Sequence, residues 1–374
     1  MGGTNGKGST CAMLESILRA AGYRTGLYTS PHLVRYNERV RIAGLEAEDR
    51  PLCEAFAEVE KVRGQTPLTY FEFGTLAALW LFARENLDAA VLEVGLGGRL
   101  DAVNAVDADC AVLTSVGIDH VEYLGADRES IGREKAGIFR AGRPAVIAAP
   151  DPPQSVMQAA GEKRLLGKDF GYVADASQWT YWGPRGRRAG LAYPALRGKV
   201  QLRNAAAALC ALDALELPIT MQEIRRGLAE VVLAGRFQVL PGRPQVILDV
   251  AHNPQAAKTL EQNLAASGFA PETIAVCGML RDKDLAGVLR EVAPRIARWH
   301  FASLPGPRAA TAEDLKEAFL RAGGNAPVEL HASPREAFEA AREHAGENDK
   351  IVVFGSFLTV GEIIAWLRLG TSIR

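Results

Sequence analysis

The chain has 374 residues, too many for one ordinary core, so two domains are the natural expectation. A hydrophobic share of 48% and a charged share of 23% are those of a soluble globular protein, and a net charge of −1 argues against a nucleic-acid binder held by bulk electrostatics. Five scattered cysteines without a Cys-x-x-Cys pair, no apolar stretch long enough for a bilayer and no visible secretory signal point to free thiols in a reducing cytoplasm.

The first segment, Gly2-Gly3-Thr4-Asn5-Gly6-Lys7-Gly8-Ser9-Thr10, reads as a phosphate-binding loop. Its glycines let several backbone N–H groups converge on one anion, and Lys7 reaches the β- and γ-phosphates as a point charge. Residues 11–21 read as a helix, with Met13, Leu14, Ile17 and Leu18 at helical spacing and Gly22 just past its end. A helix N-terminus beneath such a loop is an anion site. Gly8 stands where the usual pattern has Ser or Thr, and the loop should hang from a buried strand although only Met1 precedes it. Either the protein dispenses with that strand or the chain has lost its beginning.

Further along, apolar runs alternate with helical patterns, which predicts α/β layers with parallel strands. Residues 89–94, 110–116 and 145–148 are apolar on both faces, as in a covered sheet, with helices over 73–85 and 131–139. Residues 151–199 change character, opening on Pro152-Pro153 and alternating Trp179, Tyr181 and Trp182 with polar groups; this reads as a small antiparallel excursion. Asn204 starts an alanine-rich helix through 215. A second domain begins near Pro241, with strands over 245–250, 273–278, 298–302 and 350–355 in a smaller doubly wound unit.

Polar residues stand at the carboxyl ends of these strands, where ligands gather in parallel α/β sheets. Glu93, before Gly95-Leu96-Gly97-Gly98-Arg99-Leu100-Asp101, is placed to hold Mg²⁺. Ser115 to His120 offers Asp119 and His120, either as metal ligands or as hydrogen-bonding surface groups. Ser30 can supply the hydroxyl that Gly8 displaced. Lys135 reads on its own as a helix-surface lysine. In the second domain Asp249, His252 and Asn253 crowd a strand end before Pro254, and Arg236 at the domain junction either stabilises a transferring phosphoryl group or forms a structural salt bridge.

Taken together, GTNGKGS, TSPHL, TYFEFGTLAAL, LEVGLGGRLDAVN, DHVEYLG, REKAGIFR, AGRFQ, DVAHNP, GMLRDKD and FGSFLTV resemble, in order and along the whole chain, the folylpolyglutamate synthase family of ATP-dependent amide ligases, a branch of the Mur ligase superfamily. The resemblance implies an α/β fold: a P-loop mononucleotide-binding domain with a mostly parallel sheet over 1–238, and a smaller Rossmann-like glutamate-ligase domain over 239–374. It implies ATP contacts from Thr4, Asn5, Gly6, Lys7, Gly8, Ser9, Asn204, Arg236 and Asp249 across a domain cleft whose closure gates the chemistry. It implies Mg²⁺ ligation by Ser30, Glu93, His120 and a carbamylated Lys135, and a monovalent cation such as K⁺. Thr69, Tyr70, Phe71, Glu72, Leu100, Asp101 and Ala102 would line a pterin pocket; His252, read from its place at the strand end rather than from the resemblance, is a candidate base for the incoming amine.

The activity so implied adds L-glutamate to dihydropteroate and to reduced folates through an acyl phosphate, by a cytoplasmic monomer without nucleic-acid or membrane partners. Family members carry roughly fifty residues before the loop, including its supporting strand, so the chain reads as a truncated version. A cell-wall Mur ligase is the alternative, opposed by Gly8 and the TYFE segment. A P-loop switch protein is opposed by the lack of an Asn-Lys-x-Asp motif and by the second α/β domain.

Overall fold

A computed structural model describes residues 1–371 and divides the chain into two compact units, Met1–Ala195 with Val200–Val232, and Leu196–Lys199 with the chain from Leu233 onward. The first unit runs α1 (Lys7–Ala20), β1 (Thr25–Tyr28), β2 (Val40–Ile42), β3 (Leu45–Glu46), α2 (Asp49–Arg63), α3 (Tyr70–Arg84), β4 (Ala89–Leu92), β5 (Ala111–Leu113), α4 (Val121–Leu124), α5 (Arg128–Ala136), β6 (Pro144–Ile147), α6 (Gln154–Gln158) and β7 (Glu162–Leu165). It continues with β8 (Gly171–Ala174), β9 (Gln178–Gly183), β10 (Gly186–Ala192), α7 (Val200–Leu215) and α8 (Met221–Glu230).

Its strands form three sheets: β3-β2-β1-β4, with β1 and β4 parallel; a parallel β5-β6-β7; and an antiparallel β10-β9-β8. Met1 and Gly2 lie between the first two. The Met1 ammonium donates to Leu92 O at 2.8 Å, Val94 N donates to Met1 O, Gly2 N donates to Val112 O, and Thr114 N donates to Gly2 O. A groove of about 700 Å³ runs beside them, lined by Leu14, Leu18, Val91, Val103, Val112 and Ile138 among others. The loop that follows Gly2 is thereby hung between the carboxyl ends of β4 and β5.

The apolar face of α1 (Met13, Leu14, Ile17, Leu18) is buried, and the helix packs on α7 and α8. At Gly227 on α8 a Cβ would come within 2.5 Å of the Ile17 backbone, so only glycine allows this approach. Except for Arg203, residues 201–213 of α7 are buried; the run Ala205–Ala208 keeps the helix thin enough to pack at once on α1, β5, β6, β8 and β9.

Three expectations shift. β5 and β6 are covered on both faces, but Ala90 in β4 is exposed and lines the groove beside Met1. The stretch from 151 does not begin as an antiparallel excursion: α6 and β7 extend the parallel sheet, and only β8 to β10 are antiparallel. β7 escaped notice because Glu162, Lys163 and Arg164 are polar at a sheet edge. Helices also start earlier than their apolar periodicity: α3 at Tyr70, α5 at Arg128 and α7 at Val200, which puts Asn204 inside α7. Side-chain caps set two of these starts, since Thr69 accepts from Glu72 N and Asp127 from Glu129 N and Ser130 N.

The second unit comprises β11 (Gln238–Leu240), β12 (Gln245–Leu248), α9 (Pro254–Ala266), β13 (Thr273–Cys277), α10 (Leu285–Val292), β14 (Arg298–Ala302), α11 (Ala312–Arg321), β15 (Val328–His331), α12 (Pro334–His344), β16 (Lys350–Phe354) and α13 (Phe357–Thr371). One six-stranded sheet, β11-β12-β16-β13-β14-β15, is parallel throughout except for the β11–β12 pair. Its core stacks Trp299 on Phe301, Phe319 and Phe354 at 5.1–6.1 Å between ring centroids. α9 starts on Asn253, which accepts from Ala256 N, followed by Pro254 at the first helical position.

Candidate functional site

In the first unit the glycine loop is held from below by β5 and its extension. Thr4 N donates to Ser115 O, Asn5 N donates to Ser115 Oγ at 2.8 Å, and Thr114 Oγ and Ser115 Oγ both donate to Asn5 O. Thr4 Oγ donates to Gly117 O and accepts from Gly117 N. Two glycines are obligatory: Gly3 sits at φ +143 with Thr114 Oγ 2.0 Å from where a Cβ would lie, and Gly6 at φ +92 with Asn204 Oδ1 at 2.7 Å. Asn204 therefore lies directly against the loop, its amide donating to Gln201 Oε1. Gly6 caps α1 without a side chain, and Lys7 Nζ rests on Gly3 O at 3.0 Å. Lys7 and Gly8 open the first turn of α1, while Ser9 is buried there.

Glu93 follows β4 and is 4% exposed; its Oε2 accepts from Ser30 N at 3.4 Å, which brings the Ser30 segment onto it. His120 stands at φ +52, a left-handed position that side chains rarely adopt, and begins α4 beside Asp119, whose Oδ1 accepts from His120 N. Strain of this kind concentrates at functional sites. Oxygen donors of the kind that Ser30 and Glu93 carry suit a hard divalent cation such as Mg²⁺ or Mn²⁺, and a carboxylate this buried gains from one.

Lys135 is not the helix-surface lysine its local sequence suggests: it is 5% exposed. Burial, then the Lys7 charge, push its amine down to about 7, against smaller opposing pulls from Asp119 and Asp101. α5 holds it against the Gly95–Asp101 loop. Arg99 N donates to Glu134 O, the Arg99 guanidinium pairs bidentately with Glu134, and a Cβ at Gly98 would lie 2.8 Å from Lys135 O. Asp101 ties the same loop, accepting from Leu96 N and Val103 N, and burial raises its carboxyl above the usual range.

Of the residues expected to line a pterin pocket, Thr69 and Glu72 form the capping box of α3. Tyr70 is 64% exposed and Leu100 79% exposed, beside Ala102, which starts a single helical turn. Phe71 lies on Gly95 and faces Tyr28 at 5.9 Å. Tyr36 and Arg39, not singled out in the sequence, join Tyr70: the Arg39 guanidinium sits 5.4 Å from the Tyr36 ring and 5.2 Å from the Tyr70 ring, and donates to His32 Nδ1. The aromatic and cationic residues of the SPHLVRYNER stretch were the available signal.

In the second unit Asp249 ends β12 and is held by N–H groups of Phe237 and Ala251 at 2.8 Å each. Burial raises its carboxyl, opposed first by Arg236. The Arg236 guanidinium lies over the Phe357 ring at 5.2 Å. His252 Nδ1 is 2.8 Å from Val250 O, which fixes Nδ1 as the protonated nitrogen and Nε2 as the basic one.

The Mur ligase middle domain family matches residues 1–212, and the Mur ligase glutamate ligase domain family matches residues 235–357. The dihydrofolate synthase/folylpolyglutamate synthase of Escherichia coli is 48% identical over 366 residues, covering 97% of this chain and 84% of that protein. That of Haemophilus influenzae is 41% identical, covering 98% of this chain and 87% of its own. The structure of E. coli FolC in complex with DHPP and ADP superposes with a TM-score of 0.93 at 45% identity, over 99% of this chain and 88% of that one. The bifunctional synthase of Yersinia pestis, complexed with AMPPNP and Mn ion, gives 0.91 at 45% identity, over 98% and 88%. The chain belongs to the dihydrofolate synthase/folylpolyglutamate synthase family of Mur-type ligases, enzymes that use ATP to form the C–N bond to glutamate in folate metabolism.

Proposed function

We propose that this chain adds L-glutamate both to dihydropteroate and to folate glutamates, through an acyl phosphate. The γ-phosphoryl of ATP passes to the acceptor carboxylate, releasing ADP. The glutamate amine then attacks the activated carbonyl, the new C–N bond forms, and phosphate leaves with the amine losing its proton. No protein nucleophile is required, so catalysis is positioning and charge neutralisation.

In this reading Thr4, Asn5, Gly6, Gly8 and Ser9 present the loop to the phosphates, and Lys7 neutralises the β- and γ-phosphate oxygens. Asn204 supports the loop from α7. In the second unit Arg236 and Asp249 contact the nucleotide, and His252 accepts the proton of the incoming amine. Ser30, Glu93 and His120 would hold Mg²⁺, which when bound draws negative charge off the phosphates. Lys135 supplies a further anionic ligand once its neutral amine has added to CO₂, forming a carbamate and releasing one proton. Tyr70, Phe71 and Tyr36 offer stacking surface to a pterin, bounded by Thr69, Glu72, Leu100, Asp101 and Ala102.

What supports the reading in the structure is the setting of Lys135: an amine 5% exposed, held by α5 against the Gly95–Asp101 loop, with burial lowering its pKa. An ammonium beside a divalent cation would be repelled, whereas a carbamate is an oxygen ligand. The proposal includes a monovalent cation such as K⁺, tested by turnover in potassium against a bulky organic cation. It includes a cytoplasmic monomer, tested by fractionation and light scattering; among the described residues no helix is long and apolar enough to cross a membrane. Lys7→Ala should lower acceptor-dependent phosphate release from ATP by about three orders of magnitude. A variant with near-normal turnover would refute the assignment.

A further inference from the structure

At the β15 edge of the six-stranded sheet, away from Asp249 and His252, which follow β12, three of the chain's six histidines gather round one carboxylate. β14 and β15 run parallel with His300 opposite Glu329 and Ala302 opposite His331. Because side chains alternate along a strand, His300, Glu329 and His331 share one face of the sheet, while Trp299 and Phe301 turn into the aromatic core on the other. α12 packs across this face, and its last residue is His344.

The distances are those of a ligand set. His300 Nδ1 lies 3.0 Å from His331 Nε2 and 3.9 Å from Glu329 Oε2, and His344 Nε2 lies 3.7 Å from Glu329 Oε1. Candidate ligand atoms of His300, Glu329 and His344 all fall within 4.8 Å of one another. In a tetrahedral site with metal–nitrogen bonds of ~2.0–2.1 Å, neighbouring ligand atoms are ~3.3 Å apart. The separations of 3.0, 3.7 and 3.9 Å lie on either side of that value, with the His300, Glu329 and His344 atoms still within 4.8 Å of one another.

His300 is fully buried and turns its Nδ1 toward His331 and Glu329, while its Nε2, on the far side of the ring, has no hydrogen-bond partner. Two imidazoles at 3.0 Å can share at most one N–H between them. Glu329 is in addition 3.4 Å from Arg298 Nη1, which competes for the carboxylate when no cation is present. His344 and Glu329 are partly exposed, giving an ion a route in.

We propose that His300, Glu329, His331 and His344 form a binding site for a borderline divalent cation of the zinc class, which imidazole and carboxylate ligands suit. Bound there, the ion staples β15, the edge strand, to β14 and to the end of α12. It acts on the stability of the second unit and takes no part in the ligase chemistry.

The test uses the full chain with Zn²⁺ alone as probe, after chelator treatment and with Mg²⁺ present in large excess to occupy hard-ligand sites. Equilibrium competition against a chromogenic chelator should find one Zn²⁺ per chain with a dissociation constant of about a micromolar or tighter. His344→Ala and Glu329→Gln, both partly exposed changes that should leave the metal-free melting temperature within about a degree or two, should each weaken it at least tenfold and abolish the zinc-dependent rise in melting temperature. Co²⁺ should give the intense visible bands of a tetrahedral nitrogen–oxygen site in the wild type and lose them in either variant. Equal zinc affinity and stoichiometry in all three proteins, or no binding in the wild type, would overturn the proposal.

Discussion

The buried lysine of α5 gives the sharpest physical prediction. In CO₂-free buffer, replacing it by an apolar side chain of similar length, Lys135→Met, should make the protein more stable while destroying activity. The native amine is lowered from 10.5 to about 7, chiefly by burial. Between those two values the unfolded chain holds a proton that the native chain has released, so wild-type stability rises with pH through that window. At 1.36 kcal/mol per unit, keeping this lysine costs about 5 kcal/mol at pH 6, about 3 kcal/mol at pH 8 and about 2 kcal/mol at pH 9. Methionine carries no such cost. The advantage of Lys135→Met over the wild type in urea unfolding should therefore shrink by about 3 kcal/mol from pH 6 to pH 9. In bicarbonate the wild type should gain a ¹³C-carbamate signal that the variant lacks. A stability difference that does not change with pH would mean that Lys135 is solvated, and the argument for its carbamate would fail with it.

Three further outcomes follow from the geometry. Gly98→Ala would push a Cβ to 2.8 Å from Lys135 O and 2.9 Å from Glu134 O, both backbone atoms that cannot rotate away. It should cost about 1–3 kcal/mol in thermal unfolding and displace Lys135, so unchanged melting and turnover would contradict the packing described. Glu93→Gln should keep the fold, since it removes a buried charge, yet lose two to three orders of magnitude in divalent-cation-dependent ATP turnover; retention of turnover would remove Glu93 from the metal set. Asp213→Asn should destabilise the first unit by about 3–5 kcal/mol, because its fully buried carboxylate takes both Tyr181 OH and the Arg188 guanidinium; an unaltered urea midpoint would show the pair to be dispensable.

The shape of the glycine loop was legible because its requirements are local: glycines for positive φ and close approach, and a helix to follow. The strands of the second unit were legible because a sheet covered on both faces needs long apolar runs, as β13, β14 and β16 have. Lys135 was not legible from its surroundings, since Gly-Arg-Glu-Lys-Ala-Gly reads as a polar helix; its burial comes from the Gly95–Asp101 loop folding onto α5, a contact between distant segments. Thr69 to Glu72 carried a capping signal, Thr-x-x-Glu, that the pterin reading passed over. β7 and β15 were missed because edge strands tolerate charge. The histidine cluster on β14, β15 and α12 could not be read at all, because only the register between two parallel strands brings its members together.

The central claim is that one chain activates two kinds of carboxylate for the same amine. Purified protein given ATP, Mg²⁺ and labelled L-glutamate should incorporate label with dihydropteroate and, separately, with a reduced folate, releasing one phosphate per glutamate added in each case. Incorporation with only one acceptor or with neither, or phosphate release that does not depend on glutamate, would contradict it.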